Sequence, residues 1–84
     1  MAKITLDLHD IFNQSKKIEA SLNDAFFDAI NSKITTIEII HGKGSGQLKK
    51  RVLRFLNLPE IKAKYHRIEK DSKNFGRTFV YFKF

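Results

Sequence analysis

Residues 37–54, IEIIHGKGSGQLKKRVLR, join three kinds of chain without a break. Ile37 to Ile40 is apolar and β-branched, which suits a central strand covered on both faces. After His41, three glycines fall at every second position (Gly42, Gly44, Gly46), with Lys43 and Ser45 between them. Leu48, Val52, Phe55 and Leu56 then recur at helical spacing, while Gln47, Lys50, Arg51 and Arg54 share the opposite face. A strand that breaks into a glycine turn and restarts as a helix aims backbone N–H groups and a positive helix end at one point. Such a point can hold phosphate, and the cations around it suggest a polymeric one. The rival reading is that the glycines only make a tight connection.

Upstream, Ile4, Leu6 and Leu8 alternate with Thr5, Asp7 and His9, the pattern of a short strand with one buried face. Residues 10–13 read as a loop. A helix is expected from about Asn13–Ser15 to Ser32, capped by Asn13 or Ser15, with Ile18, Leu22, Ala25, Phe26, Ala29 and Ile30 as its core stripe. Residues 31–33 make a turn, and the central strand is expected over Thr35–His41. The second helix stops before Pro59. Ile61–Lys70 reads as a third strand, residues 71–76 as a hairpin loop, and Arg77–Phe84 as a final aromatic strand. The order β-α-β-α-β-β predicts one α/β domain over residues 1–84, a two-layer sandwich with helices packed on a small mixed four-stranded sheet.

Composition narrows the functions. The 84 residues contain no cysteine, so disulfides and thiolate metal sites are excluded. No apolar run approaches the roughly 20 residues of a membrane span and no signal peptide opens the chain, so a soluble cytoplasmic protein with no membrane partner is expected. Net charge is +7, unevenly placed. Residues 1–40 hold four lysines against six carboxylates; residues 41–84 hold twelve Lys and Arg against three. This asymmetry favours a polyanion over mere solubility. Lys49, Lys50, Arg51, Arg54, Arg67, Lys70, Lys73 and Arg77 are the candidate nucleic-acid contacts. Such contacts give sequence-independent affinity that falls with salt. Phe79 and Tyr81 could stack on bases, but packing in the core or sheet is the expected role; Phe75 at the hairpin tip is the better stacking candidate. His66 reads as an ordinary strand residue.

Two further clusters bear on chemistry. Period two places Asp7 and His9 on one strand face, where Asp7 either orients His9 or holds a cation and His9 moves a proton; an ordinary solvated strand end is the alternative. The glycine segment is neither a Walker A loop, which needs four residues between its glycines, nor the G-x-G-x-x-G dinucleotide fingerprint. If the first two strands are parallel neighbours, their C-terminal ends bring His9, His41 and Lys43 to one rim, where ligands of open α/β sheets sit.

LDLHD at 6–10, IIHGKGSGQLKKRVLRFL at 39–56 and GRTFVYF at 76–82 together resemble the three blocks of the Smr (small MutS-related) domain family. The resemblance implies a fold similar to the C-terminal domain of a bacterial translation initiation factor. It also implies a role in DNA repair or recombination, or in RNA and ribosome quality control. Many members nick DNA or cut RNA, and some only bind. By motif position, Asp7 and His9 would be the catalytic pair and His41 would join the phosphate-contacting loop, where it would act as general acid or hydrogen-bond donor to the phosphate. Gly42, Lys43, Gly44, Ser45 and Gly46 would form the phosphate-contacting loop, and Gly76 and Thr78 the closing block. The family motif usually has glycine where this chain has Asp10. Asp10 either weakens cleavage or joins Asp7 in holding Mg²⁺ or another divalent cation; binding itself needs no cofactor. The expectation is therefore a monomeric endonuclease domain acting on DNA or RNA, with a catalytically inactive binding module as the alternative. A MutS-like protein or the ribosome would be its larger partner, and a protein-interaction domain is the third possibility.

Overall fold

The computed structural model describes residues 3–11, 14–42, 46–70 and 76–84. Strand β1 (Lys3–Asp7) leads through a 3₁₀ turn (His9–Ile11) into helix α1 (Ser15–Ser32). Strand β2 (Thr36–Ile40), helices α2 (Gln47–Leu56) and α3 (Pro59–Lys62), and strands β3 (Arg67–Lys70) and β4 (Arg77–Tyr81) follow. The sheet order is β1-β2-β4-β3. β1 and β2 are parallel, while β4 is antiparallel to both β2 and β3. The expected mixed four-stranded α/β architecture is present.

Alternation divides the sheet into two faces. Ile37, Ile39, Thr78 and Val80 are fully buried under the helices. Phe26 of α1 meets Phe55 of α2 edge-on at 5.7 Å and Phe82, just past β4, at 5.3 Å, so both helices cover the same side. The opposite face carries Lys3, Thr5 and Asp7 of β1, Glu38 of β2, Arg67 and Glu69 of β3, and Arg77, Phe79 and Tyr81 of β4. No helix among the described residues is long and apolar enough to cross a membrane.

Several expectations need correction. The segment read as a third strand from Ile61 contains α3, and pairing with β4 starts only at His66, whose N–H reaches the Tyr81 carbonyl at 2.7 Å. Pro59 sits at the start of α3, where its fixed φ suits a helix, and Ile61 drops into the core. Tyr65 then bonds the Leu56 carbonyl through its hydroxyl at 2.9 Å. Residues 10–11, read as loop, belong to the 3₁₀ turn. Ser15 is the first residue of α1 rather than its cap; Gln14 precedes it without a side-chain capping bond, and the Ser15 hydroxyl accepts from Arg51 of α2. Ile30 is exposed rather than part of the core stripe. Asn13 and Phe75 lie outside the described residues.

Candidate nucleic-acid site at the strand rim

The site grows from the parallel pairing of β1 and β2. Asp7 is in register with Ile40, and the Leu8 N–H donates to the Ile40 carbonyl at 2.8 Å, so both chains leave the sheet at the same rim. Leu8 is fully buried and anchors the exit. His9 then opens the 3₁₀ turn with its ring in solvent. Its Nδ1 bonds Asp7 Oδ1, its backbone N–H donates to the same oxygen at 3.1 Å, and its Nε2 lies 3.1 Å from Asp10 Oδ1. The imidazole is held between two carboxylates. The hydrogen bond to Asp7 chiefly, and the charges of Asp10 and Asp7, raise the His9 pKa. The same bond lowers that of Asp7.

Opposite this pair, the chain turns at Gly42, whose φ of +75° favours glycine. A Cβ at Gly42 would lie 3.7 Å from the His9 Cβ, so the glycine backbone stands directly against the histidine. The N–H groups of His41 and Gly42 both donate to the Gly76 carbonyl, at 2.9 and 3.0 Å, which ties this turn to the entrance of β4. Gly46, with φ of +84°, supplies the left-handed residue from which α2 starts. Lys43, Gly44 and Ser45, expected in the phosphate loop, lie outside the described residues.

His41 occupies a different place from the one expected for a proton donor. It is only 4% exposed. Its Nδ1 is 3.1 Å from the Gly42 carbonyl, which can only accept, so Nδ1 carries the proton. Nε2 then accepts from the Thr78 hydroxyl at 3.0 Å. Burial, opposed by the bond to the Gly42 carbonyl and aided by the nearby Lys49 charge, lowers the His41 pKa. Both nitrogens are committed inside the protein, so His41 holds the glycine turn from behind and presents no proton at the rim. The pattern of residue types showed a second histidine near the rim, but not its burial.

Asp7 and Asp10, the candidate metal pair, both contact the same imidazole. Asp7 and Asp10 turn to opposite nitrogens of His9. Among the described residues, no group of three or more His, Asp and Glu side chains is arranged to hold a metal ion.

The basic residues separate into two groups. Lys50, Arg51 and Arg54 are exposed on α2, where they line a groove beside α1 floored by Ile18, Leu22 and Phe55. Lys49 is half-buried at the start of α2 and is felt by His41. Arg67 and Arg77 instead lie on the open sheet face, and Lys70 ends β3. Lys73 lies outside the described residues. Sequence reasoning missed Glu38, which is 6% exposed. It binds Lys3 at 3.0 Å, Arg77 at 2.8 Å and the Thr5 hydroxyl at 3.4 Å. Its signal was a lone carboxylate alternating with isoleucines in a strand.

Comparison with known proteins agrees with this geometry. The Smr domain family model matches residues 6–83. Endonuclease MutS2 of Leuconostoc mesenteroides subsp. mesenteroides is 34% identical over 96% of this chain. The chain spans only 10% of that relative's length. The crystal structure of the Smr domain of Thermus thermophilus MutS2 superposes with a TM-score of 0.74 over 99% of each chain, at 16% identity, which speaks for the fold alone. With the family model covering nearly all of the chain and the three sequence blocks meeting at one rim, the protein belongs to the Smr domain family.

Proposed function

We propose that this domain binds nucleic acid and cleaves a phosphodiester at the rim formed by Asp7, His9 and Gly42. The observation that carries the proposal is the Asp7–His9 couple standing in solvent directly against the backbone of the glycine turn. Asp7 fixes the proton on His9 Nδ1 and leaves Nε2 to take a proton from the attacking oxygen. On RNA that oxygen is the adjacent 2′-hydroxyl, whose attack breaks the P–O5′ bond and leaves a 2′,3′-cyclic phosphate. On DNA it is a water, whose attack breaks one P–O ester bond. In both, the leaving oxygen takes up a proton from solvent and His9 returns its own to solvent. Backbone donors at the start of α2 stabilise the extra negative charge on the phosphate. His41 and Thr78 position the turn rather than transfer protons. The exposed cations of α2 hold the flanking backbone.

A second reading, binding without chemistry, is favoured by one feature: Asp10 occupies the Nε2 side of His9, the nitrogen that a base must free. Incubation with supercoiled plasmid and with structured RNA separates the two. Cleavage lost in both Asp7→Ala and His9→Ala supports the nuclease. Salt-sensitive binding with no cleavage by any variant supports the binding module. Equal cutting by wild type and both variants refutes the assigned roles. The steps proposed here pass through no cation, so cleavage is expected to persist in a chelator. Activity abolished by EDTA and restored by Mg²⁺ would return Asp7 and Asp10 to the role of metal ligands. An RNA strand with one 2′-deoxy nucleotide at the cut site reports whether the 2′-hydroxyl is the nucleophile. The repair or ribosomal setting, and a MutS-like or ribosomal partner, belong to the same proposal and are tested by co-purification from cells.

A further inference from the structure

The open face of the sheet holds two aromatic rings that the rim chemistry does not use. Phe79 and Tyr81 alternate with the buried Thr78 and Val80 and therefore point away from the core. They are half-buried, their planes lie within 20° of parallel, and their centroids are 6.4 Å apart. Of the two expected roles, core or sheet packing, both rings take the second: they pack on the sheet surface rather than in the core. Each has an arginine over it: the Arg67 guanidinium lies 4.4 Å from the Tyr81 centroid, and that of Arg77 lies 5.8 Å from Phe79.

The charges of this face are compensated within it. Arg67 pairs with Glu69 at 3.1 Å, and Glu38 pairs with both Lys3 and Arg77. The face thus carries half-buried aromatic rings and arginine guanidinium groups packed against them, with little net charge. That suits bases better than phosphates. The exposed Lys50 and Arg54 of α2, which pair with no carboxylate among the described residues, suit phosphates.

We propose that Phe79 and Tyr81, flanked by Arg77 and Arg67, form a base-stacking platform for single-stranded nucleic acid that leads into the Asp7–His9 rim. This rests on the nucleic-acid reading above and adds the strand state of the substrate. The connection is geometric. Asp7 is in register with Ile40 and Ile40 with Arg77, so Asp7 and Arg77 lie on one face two strands apart, about 10 Å. Phe79 is two residues further along, about 12 Å from Asp7 on the same face. A strand whose bases rest on Tyr81 and Phe79 delivers its next phosphates to the rim. A duplex offers no free base faces, because its bases already stack on each other.

The test compares short oligo-dT and oligo-U with a duplex of matched length, using Tyr81→Leu, Phe79→Leu and the Lys50→Ala/Arg54→Ala pair. Stacking on aromatic side chains sets the scale, so each leucine variant is expected to lose roughly fivefold or more in single-strand affinity. Duplex affinity and the salt dependence should stay unchanged in these variants, whereas the α2 pair should weaken both substrates. In wild-type protein, oligo-dT should shift the ring resonances of Tyr81 and leave those of Tyr65 unmoved. That readout stands even where a leucine variant folds poorly. Leucine variants that bind single strands as wild type does, or a Tyr81 ring unmoved at saturation, overturn the platform alone. Wild-type protein that binds neither substrate overturns the platform and the proposed function together.

Discussion

The Thr78 hydroxyl donates to His41 Nε2 at 3.0 Å across 37 residues of sequence, and both groups are buried. This bond fixes the proton on His41 Nδ1 and through it the Gly42 carbonyl. One interior contact between β4 and the end of β2 therefore sets the turn that faces His9.

Thr78→Val keeps the shape and removes the donor. A buried acceptor left unsatisfied costs about 1–3 kcal/mol, so the denaturation midpoint should fall accordingly. Thr78→Ser should recover most of the loss. An unchanged midpoint for the valine variant would show that the bond contributes nothing net.

Gly42→Ala tests the turn itself. The new Cβ meets only ordinary contact at His9, so the cost comes from holding φ at +75°. That conformation costs an L-residue roughly 1–2 kcal/mol. Gly46→Ala, at φ +84° with nothing within 4 Å, should cost a similar amount. Differential scanning calorimetry of the two variants checks the pair, and cleavage should suffer more in Gly42→Ala.

Protonation of the rim follows from its geometry. The His9 pKa is raised, so its ion pair stabilises the fold below pH 6.5 and loses that contribution as pH rises through the raised value. Asp7 is depressed, so its contribution fades only as pH falls through its lowered value. Cleavage that uses His9 as a base rises with pH through the raised His9 value. Asp10→Asn removes one of the two carboxylates and should shift both the NMR titration of His9 and the rate profile to lower pH. A profile unmoved by Asp10→Asn contradicts the clamp.

Glu38 gives the fold an acid limit. Its pKa is lowered, first by Lys3 and then by Arg77, against the opposing effect of burial. The stability it supplies is present above the ordinary value of 4.5 and is lost as pH falls through the lowered one. Glu38→Gln should flatten stability against pH in that acidic window and cost about 1–3 kcal/mol at neutral pH. Urea titrations across the window provide the check.

Much of this arrangement was legible in the residues. The β-α-β order placed the two strand tips together because parallel neighbours end at one rim, whereas Asp7 meets His9 through the 3₁₀ turn that follows β1 rather than through strand alternation. Three features were not legible. The Ile61 segment alternates Ile61, Ala63 and Tyr65 as a strand would, and Pro59 at the start of α3 decided for the helix. His41 follows an apolar run, but its burial depends on Thr78 from the last strand, a contact no local pattern reveals. Phe79 and Tyr81 sit in an aromatic run apolar on both faces, so alternation alone could not say which face the helices would cover.

The central claim is that the rim of Asp7, His9 and Gly42 receives the phosphodiester. Titrating a non-cleavable oligonucleotide into the protein and following the three histidine rings and the backbone amides by NMR tests it most directly. The account predicts saturable shifts at the His9 ring and the Gly42 amide, with His66 unmoved and His41 keeping its proton on Nδ1. Saturable binding that leaves the His9 ring and the Gly42 amide where they were in the free protein would contradict it.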